Sequence, residues 1–126
     1  MHIDTLIASP RLRALFAGLC FAAAGVLVIG LLGIGATPVA VGLVNEPWDK
    51  LAHLATFAVL GGLLAAGFGG GRPWLATALA LSVGIADEGL QLFHPGRQAG
   101  WDDLAADLAG AALAALALWF FREKWR

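Results

Sequence analysis

The chain has 126 residues, of which 60% are apolar and 13% charged, and its formal net charge is -1. With a mean hydropathy of +0.79, such a composition cannot cover itself with a water-compatible surface, so the sequence predicts an integral membrane protein. Its basic residues sit at the ends of apolar runs and form no stripe for nucleic acid, and the single Cys20 excludes an intramolecular disulfide.

Spans need about 20 residues each, so the length fits one domain over residues 1–126 with four transmembrane helices and no soluble module. After a polar lead ending in Arg11 and Arg13, residues 14–36 are nearly unbroken in apolar and glycine positions. The run outlasts the short core of a signal peptide, which predicts an uncleaved first helix. Cys20 follows Leu19, where a lipoprotein cleavage site would need a small residue, so lipidation is not expected.

Glycine and proline break residues 35–48, an oily segment expected to lie in the membrane interface. Asn45 or Glu46 can cap a second helix over about 47–68, with Pro47 in its first turn and Trp48 in the aromatic belt. Gly69, Gly70, Gly71, Arg72 and Pro73 make a turn into a third helix, about 74–93, which His94, Pro95, Gly96 and Arg97 terminate. Asp102 or Asp103 can cap the fourth, about 103–121, before a charged end.

Arg11, Arg13, Arg72, Arg122, Lys124 and Arg126 fall on one side of this arrangement and only Lys50 and Arg97 on the other. The positive-inside rule then places both termini in the cytoplasm of a bacterial inner membrane, with the polar clusters outside.

Those clusters follow helical spacing. Asp49, His53 and Thr56 share one face of the second helix, with Lys50 beside it. Gly84, Glu88 and Gln91 share a face of the third; Asp103, Asp107 and Gly110 share one of the fourth. Ionised groups in hydrocarbon cost at least a few kcal/mol, so the three stripes should converge on one another or on a wet cavity. Small residues at Ala58, Gly62 and Ala66, and at Ala106, Gly110 and Ala114, predict close packing of the second and fourth helices, with Gly62 and Gly110 near the contacts.

Each group has an ordinary role beside a functional one. Asp49, Asp102 and Asp103 stand where carboxylates satisfy helix N-termini, and Lys50 and Arg97 can be interfacial cations. Capping does not explain His53, Glu88, Gln91 and Asp107, which lie a turn or two inside the spans. They are either a hydrogen-bonded core or a site, with Glu88, His53 and Asp107 as the acid and base candidates if chemistry occurs. A metal held by His53, Glu88, Asp103 and Asp107 has no diagnostic motif and is opposed by Lys50 and Arg97, so no metal and no cofactor is assigned. Two helix N-termini with Lys50 and Arg97 would suit a phosphate, although Asp49, Asp102 and Asp103 repel one.

In order, Asp49-Lys50-x-x-His53, Glu88-x-x-Gln91, Pro95-Gly96-Arg97 and Asp103-x-x-x-Asp107-x-x-Gly110 resemble the VanZ-like family of small bacterial membrane proteins. The resemblance covers about two thirds of the chain, and Asp107 departs from it, since the family commonly has asparagine there. It implies a multi-span envelope protein whose namesake is associated with low-level resistance to the glycopeptide teicoplanin; it supplies no reaction. The expectation is an outward pocket in which Lys50, Arg97, Gln91, Asp49 and Asp103 bind an anionic lipid head group or a polyprenyl-linked envelope glycolipid. The alternatives are an assembly protein whose polar residues hold the bundle together and a small ion or proton pathway.

Overall fold

Four helices carry the architecture of the computed structural model: α1 (Pro10–Gly35), α2 (Trp48–Gly67), α3 (Pro73–Gln91) and α4 (Trp101–Lys124). The structure describes residues 9–96 and 99–124. Three of these helices, α1, α2 and the Trp101–Arg122 part of α4, are long and apolar enough to cross a membrane. The third, α3, carries Asp87, Glu88 and Gln91 and is less apolar.

Helix starts follow backbone chemistry more than side-chain capping. Pro10 and Pro73 occupy the first turns of α1 and α3, where the missing N–H is no loss and the fixed φ already suits a helix. At α2, neither Asn45 nor Glu46 caps through its side chain. The Asn45 carbonyl accepts the Asp49 N–H at 3.2 Å, leaving Pro47 just outside the helix. A short 3₁₀ helix, Pro38–Ala40, interrupts the link from α1.

Four helix ends depart by two residues or more from the sequence expectation: α1 starts four residues earlier, at Pro10, and α4 runs three residues further, to Lys124. Helix α3 stops at Gln91, two residues early, where tighter bonds from Phe93 to Leu90 and His94 to Gln91 close the last turn. Helix α4 starts at Trp101, because the Gly100 carbonyl accepts the Leu104 N–H. Asp102 and Asp103 therefore lie within its first turn, facing other partners.

The largest interface lies between α2 and α4, and glycines make it possible. A Cβ on Gly110 would overlap the Leu54 carbonyl oxygen of α2, and one on Gly61 would sit 2.6 Å from the Ala111 Cα. Gly61, not Gly62, is thus the close approach on α2; Gly62 leaves ordinary contact, 3.7 Å to the Ala114 Cβ. The expected spacing is right in kind and displaced by one residue, because the helix face turned to α4 is rotated.

Two apolar clusters pack with these helices, Ala24, Phe57, Leu60, Ala80 and Ala111 around the crossing itself and Ala65, Ala76 and Ala115 beyond it towards the 68–72 turn. Helix α1 packs on the outside, burying Cys20 and Ala24 and setting Phe21 edge-on to Phe68 at 5.0 Å. Leucine, isoleucine, valine and phenylalanine side chains are exposed along α1, α2, α3 and α4, the pattern of a bundle solvated by lipid. Trp48 and Trp101 stand exposed at one end of the bundle and Trp74 at the other, as interfacial aromatic belts require.

Adding one methyl separates these contacts. Gly61→Ala and Gly110→Ala should each cost on the order of 1–3 kcal/mol through forced separation of backbones, whereas Gly62→Ala should change stability by less than about 0.5 kcal/mol. Thermal unfolding in detergent followed by circular dichroism checks this, and equal losses at Gly61 and Gly62 would contradict the packing.

Candidate functional site

Helical spacing puts His53 one turn below Asp49 on α2 and Asp107 one turn below Asp103 on α4, and the close α2–α4 approach brings the two faces together. The His53 Nδ1 and Asp107 Oδ1 atoms are 2.7 Å apart, a charge-assisted distance. Asp107 is completely buried. Its other oxygen has no hydrogen-bond partner among the described residues and occupies the space left by the missing side chain of Gly84, where a Cβ would lie 2.8 Å away. Only a glycine on α3 lets this carboxylate fit.

Helix α3 contributes the next layer. Gln91 donates through Nε2 to Asp87 Oδ2 at 3.1 Å and to Glu88 Oε1 at 3.4 Å. The Gly100 backbone N–H donates to Glu88 Oε2 at 2.8 Å. Glu88 thereby ties the end of α3 to the start of α4. Asp87, which spacing did not single out, is buried beside Glu88 and Gln91; its position four residues before Gln91 was the available signal.

Lys50 occupies the layer above. Its Nζ lies 2.6 Å from Asp103, 2.8 Å from Asp49, 3.2 Å from Asp102 and 3.6 Å from Glu46. Asp49 also accepts the Lys50 backbone N–H at 2.9 Å, so it does serve the helix start. Asp102 and Asp103 reach across to α2. One ammonium is thus surrounded by four carboxylates and is not the lone cation that the sequence suggests. Arg97, the other expected cation, lies outside the described residues.

These layers open onto a cavity of about 1000 Å³ between α1, α2, α3 and the chain before α2. Leu27, Leu31 and Ile34 of α1 form an apolar wall, and Asp49, His53, Thr56 and Gln91 a polar one. The 36–47 segment closes over the 92–96 turn, since the space beside Gly96, which has φ +79°, is filled by Val41 at 3.1 Å. Of the expected residues, Asp49, Lys50, His53, Glu88, Gln91, Asp103 and Asp107 come together at this end. The 68–72 turn packs against Arg122 at the opposite end.

The model of the VanZ/LLP1 family matches residues 33–122, which covers the cavity rim and all three polar helices, and the chain belongs to that family. No curated protein and no solved structure matches the chain.

The His53–Asp107 pair sets a thermodynamic test. His53→Leu leaves both oxygens of a buried carboxylate unpartnered and should cost about 3–5 kcal/mol. Adding Asp107→Leu should recover part of that loss, giving a coupling of about 0.5–3 kcal/mol in a double-mutant cycle. Reversible unfolding in mixed micelles measures it, and additive losses would mean that the two side chains do not interact.

Proposed function

We propose that this VanZ-family protein is a four-span protein of the bacterial inner membrane whose outer-end cavity receives the head group of an envelope glycolipid, thereby changing glycopeptide susceptibility. The single observation that carries the reading is the divided lining of the cavity, with apolar α1 residues facing a polar wall of Asp49, His53, Thr56 and Gln91. An amphiphile entering from the bilayer satisfies both walls at once.

Helix α3 joins a turn beside Arg122 to a turn beside Lys50, and its 19 residues rise roughly 28 Å, close to the hydrocarbon thickness. This supports a fourth crossing despite its carboxylates, which face neighbouring helices. Among the described residues, Arg11, Arg13, Arg72, Arg122 and Lys124 at one end, against Lys50 at the other, support cytoplasmic termini.

Electrostatics narrow the ligand. Among the described residues, the polar end is rich in hydrogen-bond acceptors, and Lys50 is occupied by carboxylates. Hydroxyl-bearing sugars offer donors to such a surface, whereas a bare phosphate would be repelled. The glycolipid half of the expectation therefore fits better than the anionic phospholipid half.

The mutual pairing of His53 with Asp107 and of Lys50 with four carboxylates favours a second reading, in which these groups only hold the bundle together. A through-membrane ion pathway gains no support. Thr77 and Ser82 donate to backbone carbonyls of their own helix, at Pro73 and Leu79, and the Phe57, Leu60, Ala80 and Ala111 cluster lies between the two ends.

Native mass spectrometry of gently extracted protein should show a copurifying sugar-bearing or polyprenyl-linked lipid. Ile34→Trp, which fills the apolar wall, should reduce its occupancy at least about tenfold, equivalent to about 1.4 kcal/mol. Alanine variants of Asp49, Lys50, His53, Glu88, Gln91, Arg97, Asp103 and Asp107 are scored together for folded yield and teicoplanin susceptibility in a host that depends on the protein. Normal yield with lost resistance supports a site; parallel loss of both supports fold glue; no lipid preference in wild type or Ile34→Trp sinks the glycolipid reading.

A further inference from the structure

We propose that His53, Glu88 and Asp107 form a binding site for a divalent transition-metal ion, of the Zn²⁺ or Mn²⁺ class, buried beside the polar cavity that His53 lines. Each side chain offers one ligand atom, and these atoms all lie within 4.8 Å of one another. They come from three different helices, α2, α3 and α4, so the grouping is a product of the tertiary fold and not of neighbouring positions in one turn. A second observation points to a ligand. Asp107 is fully buried, yet among the described residues one of its oxygens has no hydrogen-bond partner; that oxygen occupies the position a Gly84 side chain would take.

An unpartnered carboxylate oxygen in a low-dielectric interior is costly, and a coordinated cation is one of the few groups that relieves it. The donor set selects the ion. One imidazole nitrogen and two carboxylate oxygens suit borderline divalent metals; Mg²⁺ and Ca²⁺ favour oxygen alone, and no thiolate is present to select a soft ion. Three protein ligands leave a further position for water or a substrate atom, as in catalytic zinc sites and unlike closed structural ones.

The surroundings fit that role. The Gly100 N–H and Gln91 Nε2 both donate to Glu88, orienting a carboxylate as outer-shell groups do around metal ligands. Lys50, the cation expected to oppose a metal, stands one turn away with its ammonium against Asp49, Asp102 and Asp103. Asp103, grouped with the ligands by spacing, belongs to that ion cluster. His53 lines the cavity, giving an ion a route from the polar end. The inference concerns the ion alone and does not depend on which lipid enters above it.

The test uses full-length detergent-solubilised protein, stripped with chelator and dialysed against Zn²⁺, Mn²⁺ or Co²⁺. Elemental analysis should find about one ion per chain, and the Co²⁺ form should show visible d–d absorption. Glu88→Gln and Asp107→Asn, both close in shape to the native side chains, should weaken binding at least about 10- to 100-fold, while the exposed Ser82→Ala remains like wild type. Folding of each variant is confirmed by circular dichroism. Folded wild type without stoichiometric metal would overturn the proposal, and so would metal retained equally by Glu88→Gln and Asp107→Asn.

Discussion

The Asp107 carboxylate is enclosed by three helices, and their arrangement follows from what that enclosure requires. Its partner oxygen meets His53 across the α2–α4 interface at 2.7 Å, which is possible only because Gly110, three residues further along α4, lets the α2 backbone come close at Leu54. Its other oxygen needs the empty position at Gly84 of α3. A buried carboxylate without these neighbours would cost more than a marginally stable bundle can absorb. Polar pairing and small-residue packing therefore act as one constraint: the glycines set the distances, and the carboxylate makes those distances necessary.

The same constraint divides the molecule along its length. Lys50 and its carboxylates form the outermost layer, His53, Glu88, Gln91 and Asp107 the next, and the Phe57 and Leu60 cluster a dry layer beneath. Lys50 and its carboxylates lie nearest the end of the bundle, Asp87, Glu88 and Asp107 are buried beneath them, and the core beyond is packed with alanine, leucine and phenylalanine. Such grading allows a deep polar pocket at one face without opening a path to the other. It suits reception of a group from one side of the membrane better than transfer across it.

Much of this was legible in the sequence. Apolar runs gave four helices with ends within about four residues, and positions three or four apart gave the polar faces of α2, α3 and α4. Periodicity defines a face only to within part of a turn, however, and the helix rotation that selects Gly61 over Gly62 depends on side chains from two helices at once. The surroundings of Lys50 depend on tertiary structure for a related reason. Alone it resembles an interfacial cation, and only the start of α4 at Trp101 swings Asp102 and Asp103 towards it. Asp87 was overlooked because Glu88, its neighbour, already filled the role of intramembrane acid. The contribution of α1, an apolar cavity wall, has no sequence signature distinct from any lipid-facing helix.

Charge arithmetic at the polar end adds a last constraint. Among the described residues, Glu46, Asp49, Asp87, Glu88, Asp102, Asp103 and Asp107 are gathered there, with Lys50 and His53 to oppose them. In water an excess of carboxylates is screened over roughly 10 Å; beside a bilayer it must be met by protons, by cations or by donor groups of a ligand. Asparagine, common in the family at the position of Asp107, would accept from His53 and add no charge. The aspartate strengthens the excess at its deepest point, where water is scarcest and a bound cation would be held most firmly. The sugar-bearing head group and the metal ion that we propose would answer this imbalance at different depths, the first along the cavity wall and the second around Asp107.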